Sequence, residues 1–399
     1  SDHYPPYVGG VQRQTRAMAM ELSARGHEVG VVTVWQDTLP SVEQLDGFPV
    51  WRLRQVRSLP GIRGRARRRH QPPWPDPVSV WQLRGIVRRF RPDVVHSSGW
   101  FTYSAAAALL GSRTPLIVSI REYGFICSNA SLLHKGQACS GPELVKCASC
   151  SHWYHGRIKG TGALIGVRGS AWLIRRKATA VHNVSAYVEE SVVPRLFEPS
   201  RTPESVVIPS FYVPDPDRAD AEFLSRLPGA PFILFVGALR RVKGVQILLD
   251  AYTSLRDPPP LVLLGTFEKD TPAPLLDGVH APGAASFGTV MEAWKRCLFG
   301  VMPSLWPEPF GSVVHEAMLH GKAVIGTVPG GHSDMIENGR TGLLVPSGDL
   351  DALRAAMQSL IDDQSFRDEL GREAAHAARR FSAPCLLYTS DAADDLTRV

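Results

Sequence analysis

Apolar positions along the chain alternate between a helical period and short strand-length runs. Val11, Thr15, Met18 and Leu22 recur at helical spacing after Gly9-Gly10, which predicts a helix with one core-facing side. Gly26 stops it, since helices commonly end on a glycine, and residues 28–34 (EVGVVTV) read as the next strand. Further strand-length runs fall at 93–97 (DVVHS), 116–120 (LIVSI), 180–185 (AVHNVS) and 206–209, with a helix near 168–179. After a proline-rich stretch at 209–231 the alternation restarts. It runs through FILFVGAL at 232–239, a helix at 245–252, LVLLG at 261–265, a helix near 290–296 and a strand at 299–303.

Unbroken apolar runs of this length fit strands buried on both faces, and strand–helix alternation implies parallel sheets covered by helices. The fold class expected is α/β, with two Rossmann-like, doubly wound parallel-sheet domains. Their expected bounds are 1–208 and 231–384, joined by a linker at 209–230. The chain opens where a strand should be ending, so the first strand is expected to be truncated. The last fifteen residues, 385–399 (CLLYTSDAADDLTRV), resemble a translated library adapter and are expected to be foreign to the fold.

A length of 399 residues suits two domains. No apolar run reaches the roughly 18–20 residues that span a bilayer. No secretory signal precedes the first strand, which makes the cytoplasm the expected compartment.

Charge adds an asymmetry. Residues 1–200 hold 26 Lys+Arg against 13 Asp+Glu, a balance of +13, and the remainder holds 18 against 25, a balance of −7. A basic first half suits an anionic partner, either a membrane surface or an acidic acceptor. Part of that charge lies in the Arg- and Pro-rich stretch 62–77, which includes Trp74. Without an apolar stripe this stretch reads as a solvated connection ahead of a headgroup-binding patch. An arginine run with no recognised module does not make a nucleic-acid binder. A nicotinamide oxidoreductase is disfavoured by the lack of GxGxxG after the first strand.

The most informative segment is 303–346, where Glu308 and Glu316 flank a Pro-Phe-Gly turn and a helix start. Carboxylates there can accept hydroxyl hydrogen bonds, while the free N–H groups of a first helical turn suit an anion. A sugar nucleotide offers both chemistries.

Taken in order, Gly9-Gly10-Val11, GHEV at 26–29, VSAYV at 184–188, VGALRRVKG at 236–244, PSLWPEPFG at 303–311, Glu316 and TGLLV at 341–345 resemble glycosyltransferase family 4. The resemblance covers nearly all of the chain up to about Phe381. It implies the GT-B architecture, two Rossmann-like domains facing across a cleft, and a retaining transfer of a hexose from a nucleoside diphosphate sugar to a hydroxyl acceptor. Such transfer is front-face and substrate-assisted, with no protein nucleophile and no obligatory divalent metal. The products expected are polysaccharide or glycolipid, on a glycan or lipid-linked acceptor, with the enzyme peripheral at the cytoplasmic face of the inner membrane.

The resemblance implies catalytic roles for Glu308, at the donor hexose, and for Lys243, at the pyrophosphate. Arg240 stands in for an arginine that the family usually has where this chain has Ala238. Donor binding falls to Glu316, at the ribose hydroxyls, with Phe310, Gly311, Ser312, Gly237 and Arg241. Gly9, Gly10, His96, Arg121 and Glu122 fall on the acceptor and phosphate side. Arg121 and Glu122 occupy positions where relatives often place histidine and then an acidic residue. The departures at Ala238 and Arg121 keep open an alternative, a noncatalytic GT-B protein that binds a sugar nucleotide or scaffolds an assembly.

Cys127, Cys139, Cys147 and Cys150 lie within 24 residues of an insertion at about 121–160, near His134, His152 and His155. In a reducing compartment such clustering favours metal over disulfides, and the CASC turn has ligand spacing for structural zinc. Reduced thiols or a redox pair are the alternatives.

Overall fold

Parallel strands joined by helices build both halves of the chain. The computed structural model describes residues 1–6, 9–36, 39–58, 71–211, 218–272 and 277–382. Most of the arginine-rich stretch, residues 212–217 of the expected linker and the 385–399 tail lie outside them. Two compact units are formed, one from residues 1–135 and 139–208, the other from 136–138 and 209 onward.

The first unit begins with α1 (Gly10–Ala24), β1 (Val31–Val34), β2 (Val42–Leu45), β3 (Phe48–Leu53), α2 (Pro77–Phe90), β4 (Val95–Ser98), α3 (Phe101–Ala108) and β5 (Leu116–Ile120). Two-residue strands β6 (Leu133–His134) and β7 (Gln137–Ala138) come next in the chain. They precede α4 (Leu144–His155), α5 (Arg157–Lys177), β8 (Ala178–Asn183), α6 (Ala186–Leu196) and β9 (Glu204–Val207). Strands β4-β5-β8-β9 form one parallel sheet. In the other, β1 pairs parallel with β3, which pairs antiparallel with β2. An apolar cavity of about 560 Å³ is lined by Val29, Val31, Leu83, Ile86, Val95 and Phe101, so it borders both β1 and β4.

Two departures from the sequence reading have clear physical causes. The β2–β3 hairpin turns at Asp46-Gly47, both at positive φ (56° and 91°). Asp-Gly is a strong signal for such a turn, and the pattern reading passed over it. Helix α5 starts eleven residues before the expected position of 168. The helix holds four glycines, Gly160, Gly162, Gly166 and Gly169, weak helix formers, yet two of them permit close packing. A Cβ on Gly160 would lie 2.5 Å from the Ser151 carbonyl oxygen, and one on Gly166 would lie 2.6 Å from the Trp74 ring.

The second unit contains α7 (Ala221–Ser225), β10 (Ile233–Val236), α8 (Val245–Tyr252), β11 (Leu261–Leu264), β12 (Val279–Gly283) and α9 (Phe287–Arg296). After these come β13 (Phe299–Val301), α10 (Ser312–Leu319), β14 (Ala323–Val328), β15 (Leu343–Pro346), α11 (Leu350–Asp362) and α12 (Gln364–Ala378). All six strands are parallel, in the order β12-β11-β10-β13-β14-β15. Ile233, Phe235, Leu261, Leu263, Phe299, Val301 and Ile325 bury one face of the sheet against Leu248, Leu249, Leu353, Met357 and Leu360 of α8 and α11. Among the described residues no helix is long and apolar enough to cross a membrane.

Candidate functional site

In the second unit the chain runs outward from β10 through β11 to β12, then returns to β13 on the other side of β10. At such a switch in strand order, neighbouring loops diverge and leave a crevice beyond the carboxyl ends of the strands. The loop after β10 carries Lys243, and the loop after β13 carries Ser304 and Glu308. Leu305 N–H donates to the Val242 carbonyl at 2.9 Å, tying the two loops together. Gly244 makes the approach feasible: it has φ 79°, and a Cβ there would lie 1.8 Å from the Pro303 carbonyl oxygen. Gly237 is clasped similarly, because a Cβ on Gly265 would lie 1.7 Å from its carbonyl oxygen.

The chemistry gathers on this frame. Lys243 Nζ donates to Glu308 Oε1 at 2.6 Å, and Ser304 Oγ donates to the same oxygen at 2.7 Å. The ammonium also stands 4.8 Å from the centroid of the Trp306 ring. Burial acts to raise the Glu308 pKa, but Lys243, His332 and the hydrogen bonds from Lys243 and Ser304 outweigh it and hold the carboxyl below its ordinary value. The result is a carboxylate and an ammonium in contact, with Lys243 still partly open to solvent.

The Gly330-Gly331-His332 loop after β14 closes the third side. Gly331 N–H donates to the Glu308 carbonyl at 2.6 Å, and a Cβ on Gly331 would lie 2.3 Å from the Pro309 carbonyl oxygen. His332 is buried, with Nδ1 accepting from Thr327 N–H at 3.0 Å. Its burial lowers the pKa, against the pull of the Glu308 charge, so the neutral ring carries its proton on Nε2. That ring lies against Gly311, the residue before α10, which has φ 87° and supplies no side-chain cap. The first turn of α10, at Ser312, therefore has no hydrogen bond from a side chain of its N-cap residue.

Gly311→Ala is expected to destabilise the second unit by about 2 kcal/mol or more, from left-handed backbone strain and overpacking. The new Cβ would lie 2.7 Å from His332 Cδ2 and Nε2. Urea denaturation measures the loss, and an unchanged midpoint would contradict the proposed packing.

Glu316 is buried on the second turn of α10, at 6% exposure. The Phe310 side chain is core, edge-on to Phe381 with centroids 5.9 Å apart, so only its backbone is left for a ligand. Arg240 is exposed and its Nε donates to Asp270 Oδ1 at 3.2 Å; Arg241 is also exposed. Arg240 meets Lys243 through its backbone, its carbonyl accepting from Lys243 N–H at 3.1 Å. Ser304, Trp306 and His332 were missed by the sequence reading. The first two lie inside PSLWPEPFG, and the third follows a Gly-Gly pair, but none has a pattern of its own that points to its partner.

In the first unit, Gly9 precedes α1 in extended conformation and provides no side-chain cap, and Gly10 starts the helix. His96 on β4 and His182 on β8 lie with rings 5.5 Å apart. His182 Nε2 donates to the Ile208 carbonyl at 2.8 Å, and Nδ1 accepts from Ser119 Oγ at 3.1 Å. Burial and nearby Arg121 lower the His182 pKa to about 4. Arg121 is itself lowered by burial, and Glu122 is raised, by burial and then by Asp2.

His182 folds neutral, whereas an unfolded histidine titrates near 6.5. Its contribution to stability is full above about 6.5 and is lost as pH falls from there towards 4, at about 1.4 kcal/mol per pH unit. The first unit should therefore denature at lower urea at pH 5 than at pH 7, with a shallower dependence in His182→Gln. Parallel pH profiles for the two proteins would exclude this origin.

The four clustered cysteines do not form the expected zinc site. Among the described residues no three His, Cys, Asp or Glu side chains are grouped so as to hold a metal ion. The thiols are taken up locally. Cys127 Sγ donates to Asn129 Oδ1 at 2.6 Å, Cys139 Sγ to the Gly141 carbonyl at 3.5 Å and Cys150 Sγ to the Leu133 carbonyl at 3.4 Å. Cys147 Sγ accepts from Glu143 N–H at 3.3 Å. All four are free thiols.

The fold and the crevice define a class, the GT-B glycosyltransferases. Residues 218–377 match the family described as glycosyl transferases group 1, and residues 9–210 match the glycosyl transferase 4-like domain. The chain belongs to the group 1 glycosyltransferases. Glycogen synthase of Mycobacterium tuberculosis (strain H37Rv) is 24% identical over 93% of this chain and 87% of its own length. D-inositol 3-phosphate glycosyltransferase of Pseudarthrobacter chlorophenolicus is 34% identical over 38% of this chain and 39% of its own length. Among solved structures, sucrose-phosphate synthase from Thermosynechococcus elongatus superposes with a TM-score of 0.69 at 19% identity, covering 98% of this chain and 94% of that one. HepE of Anabaena, solved with UDP and glucose, gives 0.68 at 17% identity, covering 100% and 98%.

Proposed function

We propose that this protein is a retaining hexosyltransferase that takes its sugar from a nucleoside diphosphate donor held in the second unit. The observation that carries the reading is the Lys243–Glu308 ion pair, with Ser304 and His332, beside the uncapped start of α10 and buried Glu316. Glu316 accepts hydrogen bonds from the two ribose hydroxyls, since a carboxylate takes vicinal donors well. The N–H groups at Gly311 and Ser312 face the phosphates, and Glu308 holds the hexose hydroxyls. Lys243 leaves Glu308 to meet the charge that grows on the β-phosphate. The likeness to HepE, which binds UDP and glucose in its own structure, supports a donor of this type.

In the reaction the bond from the anomeric carbon to the β-phosphate oxygen breaks, and a bond from that carbon to the acceptor oxygen forms on the same face. The acceptor proton passes to the departing phosphate oxygen, so the chain supplies positioning and electrostatics rather than a nucleophile. No divalent metal is required by this scheme. Gly9, Gly10, His96, Arg121 and Glu122 belong to the acceptor side, Arg240 and Arg241 to the rim of the donor site. The basic first unit supports a glycan or lipid-linked acceptor in polysaccharide or glycolipid synthesis, with the protein in the cytoplasm at the inner face of the membrane.

The test is incubation with radiolabelled UDP-, GDP- and ADP-hexoses, following release of the nucleoside diphosphate. Turnover of one donor with the anomeric configuration kept supports the proposal. Tight binding of all three without turnover would transfer the site to a noncatalytic sugar-nucleotide binder.

A further inference from the structure

We propose that the outer face of α5 docks this protein on an anionic lipid bilayer. This gives a surface to the membrane association suggested above, and it can be tested without any sugar transfer. Helix α5 has 21 residues and is therefore about 31 Å long. Its inner side is buried through Gly160, Gly166, Val167, Ser170, Ala171, Leu173 and Ile174. Its outer side carries Ile158, Ile165 and Trp172, exposed by 91%, 64% and 54%. A spacing of seven residues is close to two helical turns, so the three form one line along the helix. Single exposed apolar side chains are ordinary on a soluble protein, but an aligned series marks an interaction face.

The charge beside that line selects the partner. Arg157, Arg168 and Arg175 are exposed, and their spacings of eleven and seven residues set them along a parallel line about one sixth of a turn away. Exposed Arg176 falls within the apolar line itself. Residues 144–188 contain seven Lys+Arg and no Asp or Glu. A second copy docking through this face would bring like charges together across a two-fold axis, which opposes self-association. An anionic leaflet has the opposite sign, and its interface suits each group. Trp sits at headgroup depth, isoleucine enters the acyl boundary, and arginine lays its stem along the apolar layer with its guanidinium among phosphates. The helix lies along the surface rather than across it, since it does not qualify as a membrane span.

The experiment is flotation of the full chain with phosphatidylcholine vesicles, with and without phosphatidylglycerol, at low and high salt. Wild type should float with the anionic vesicles and be released by salt. Removing Arg157 and Arg168 together, each to Gln, should weaken partitioning roughly twentyfold, from about fivefold per arginine. Ile158→Ser, Ile165→Ser and Trp172→Ser combined should weaken it about tenfold or more. Because these side chains are exposed, all variants should keep the wild-type circular dichroism melt. Phosphatidylglycerol-independent partitioning, or variants that float like wild type, would overturn the proposal. So would a wild-type dimer that the triple substitution dissolves while flotation is unchanged, because that assigns the face to a second copy.

Discussion

Lys243→Met should lower kcat for hexose transfer by about 10²–10³-fold, the size seen when one preorganised electrostatic donor to a developing anion is removed. The donor KM should move much less, because the largest gain in charge on the leaving phosphate comes in the transition state rather than on binding. The ion pair explains why the lysine is poised. Without donor its ammonium is held 2.6 Å from Glu308 Oε1, so a partner of greater charge can draw it a short distance.

The substitution also leaves Glu308, one-tenth exposed at its side chain, without its cation. A buried carboxylate stripped of its partner costs stability. The double variant Lys243→Met with Glu308→Gln is the control. It should recover the melting temperature that Lys243→Met loses and still fail in turnover. Initial rates over a range of donor concentrations decide the matter, and turnover near wild type in Lys243→Met would refute the role.

Glu316→Ala should weaken nucleotide binding by about 10–100-fold, which corresponds to losing charge-assisted hydrogen bonds worth roughly 1.5–3 kcal/mol. Isothermal titration with the nucleoside diphosphate alone isolates this effect, since no hexose is present for Glu308 to hold. Glu316→Gln keeps one acceptor oxygen and the side-chain volume, so its loss should be intermediate. Equal affinity in wild type and Glu316→Ala would remove the residue from the donor site and leave it as a buried helix carboxylate.

The elements were legible in the sequence wherever their cause is local. Helix α8 at Val245–Tyr252 and strand β5 at Leu116–Ile120 come out at the bounds that the apolar pattern predicts. The same local reading fails when glycine serves a distant contact. In α5 it starts the helix near 168 and leaves out Gly160 and Gly166, each a place where another segment comes too close for a side chain. It fails again at the cysteines, where spacing along the chain resembles a ligand set that the folded thiols do not assemble.

By itself, then, the sequence determined the α/β class, the repeated strand–helix order and the PSLWPEPFG motif from Pro303 to Gly311. Each depends on period, turn residues or short-range spacing. Only the tertiary structure decided that Lys243 meets Glu308 across 65 residues, that Ser304 shares the same carboxylate oxygen, and that His332 rests on Gly311. Those contacts follow from β10 and β13 lying side by side where the strand order switches. Strand adjacency is set by how sheets and helices pack as a whole, and no local pattern of residues encodes it.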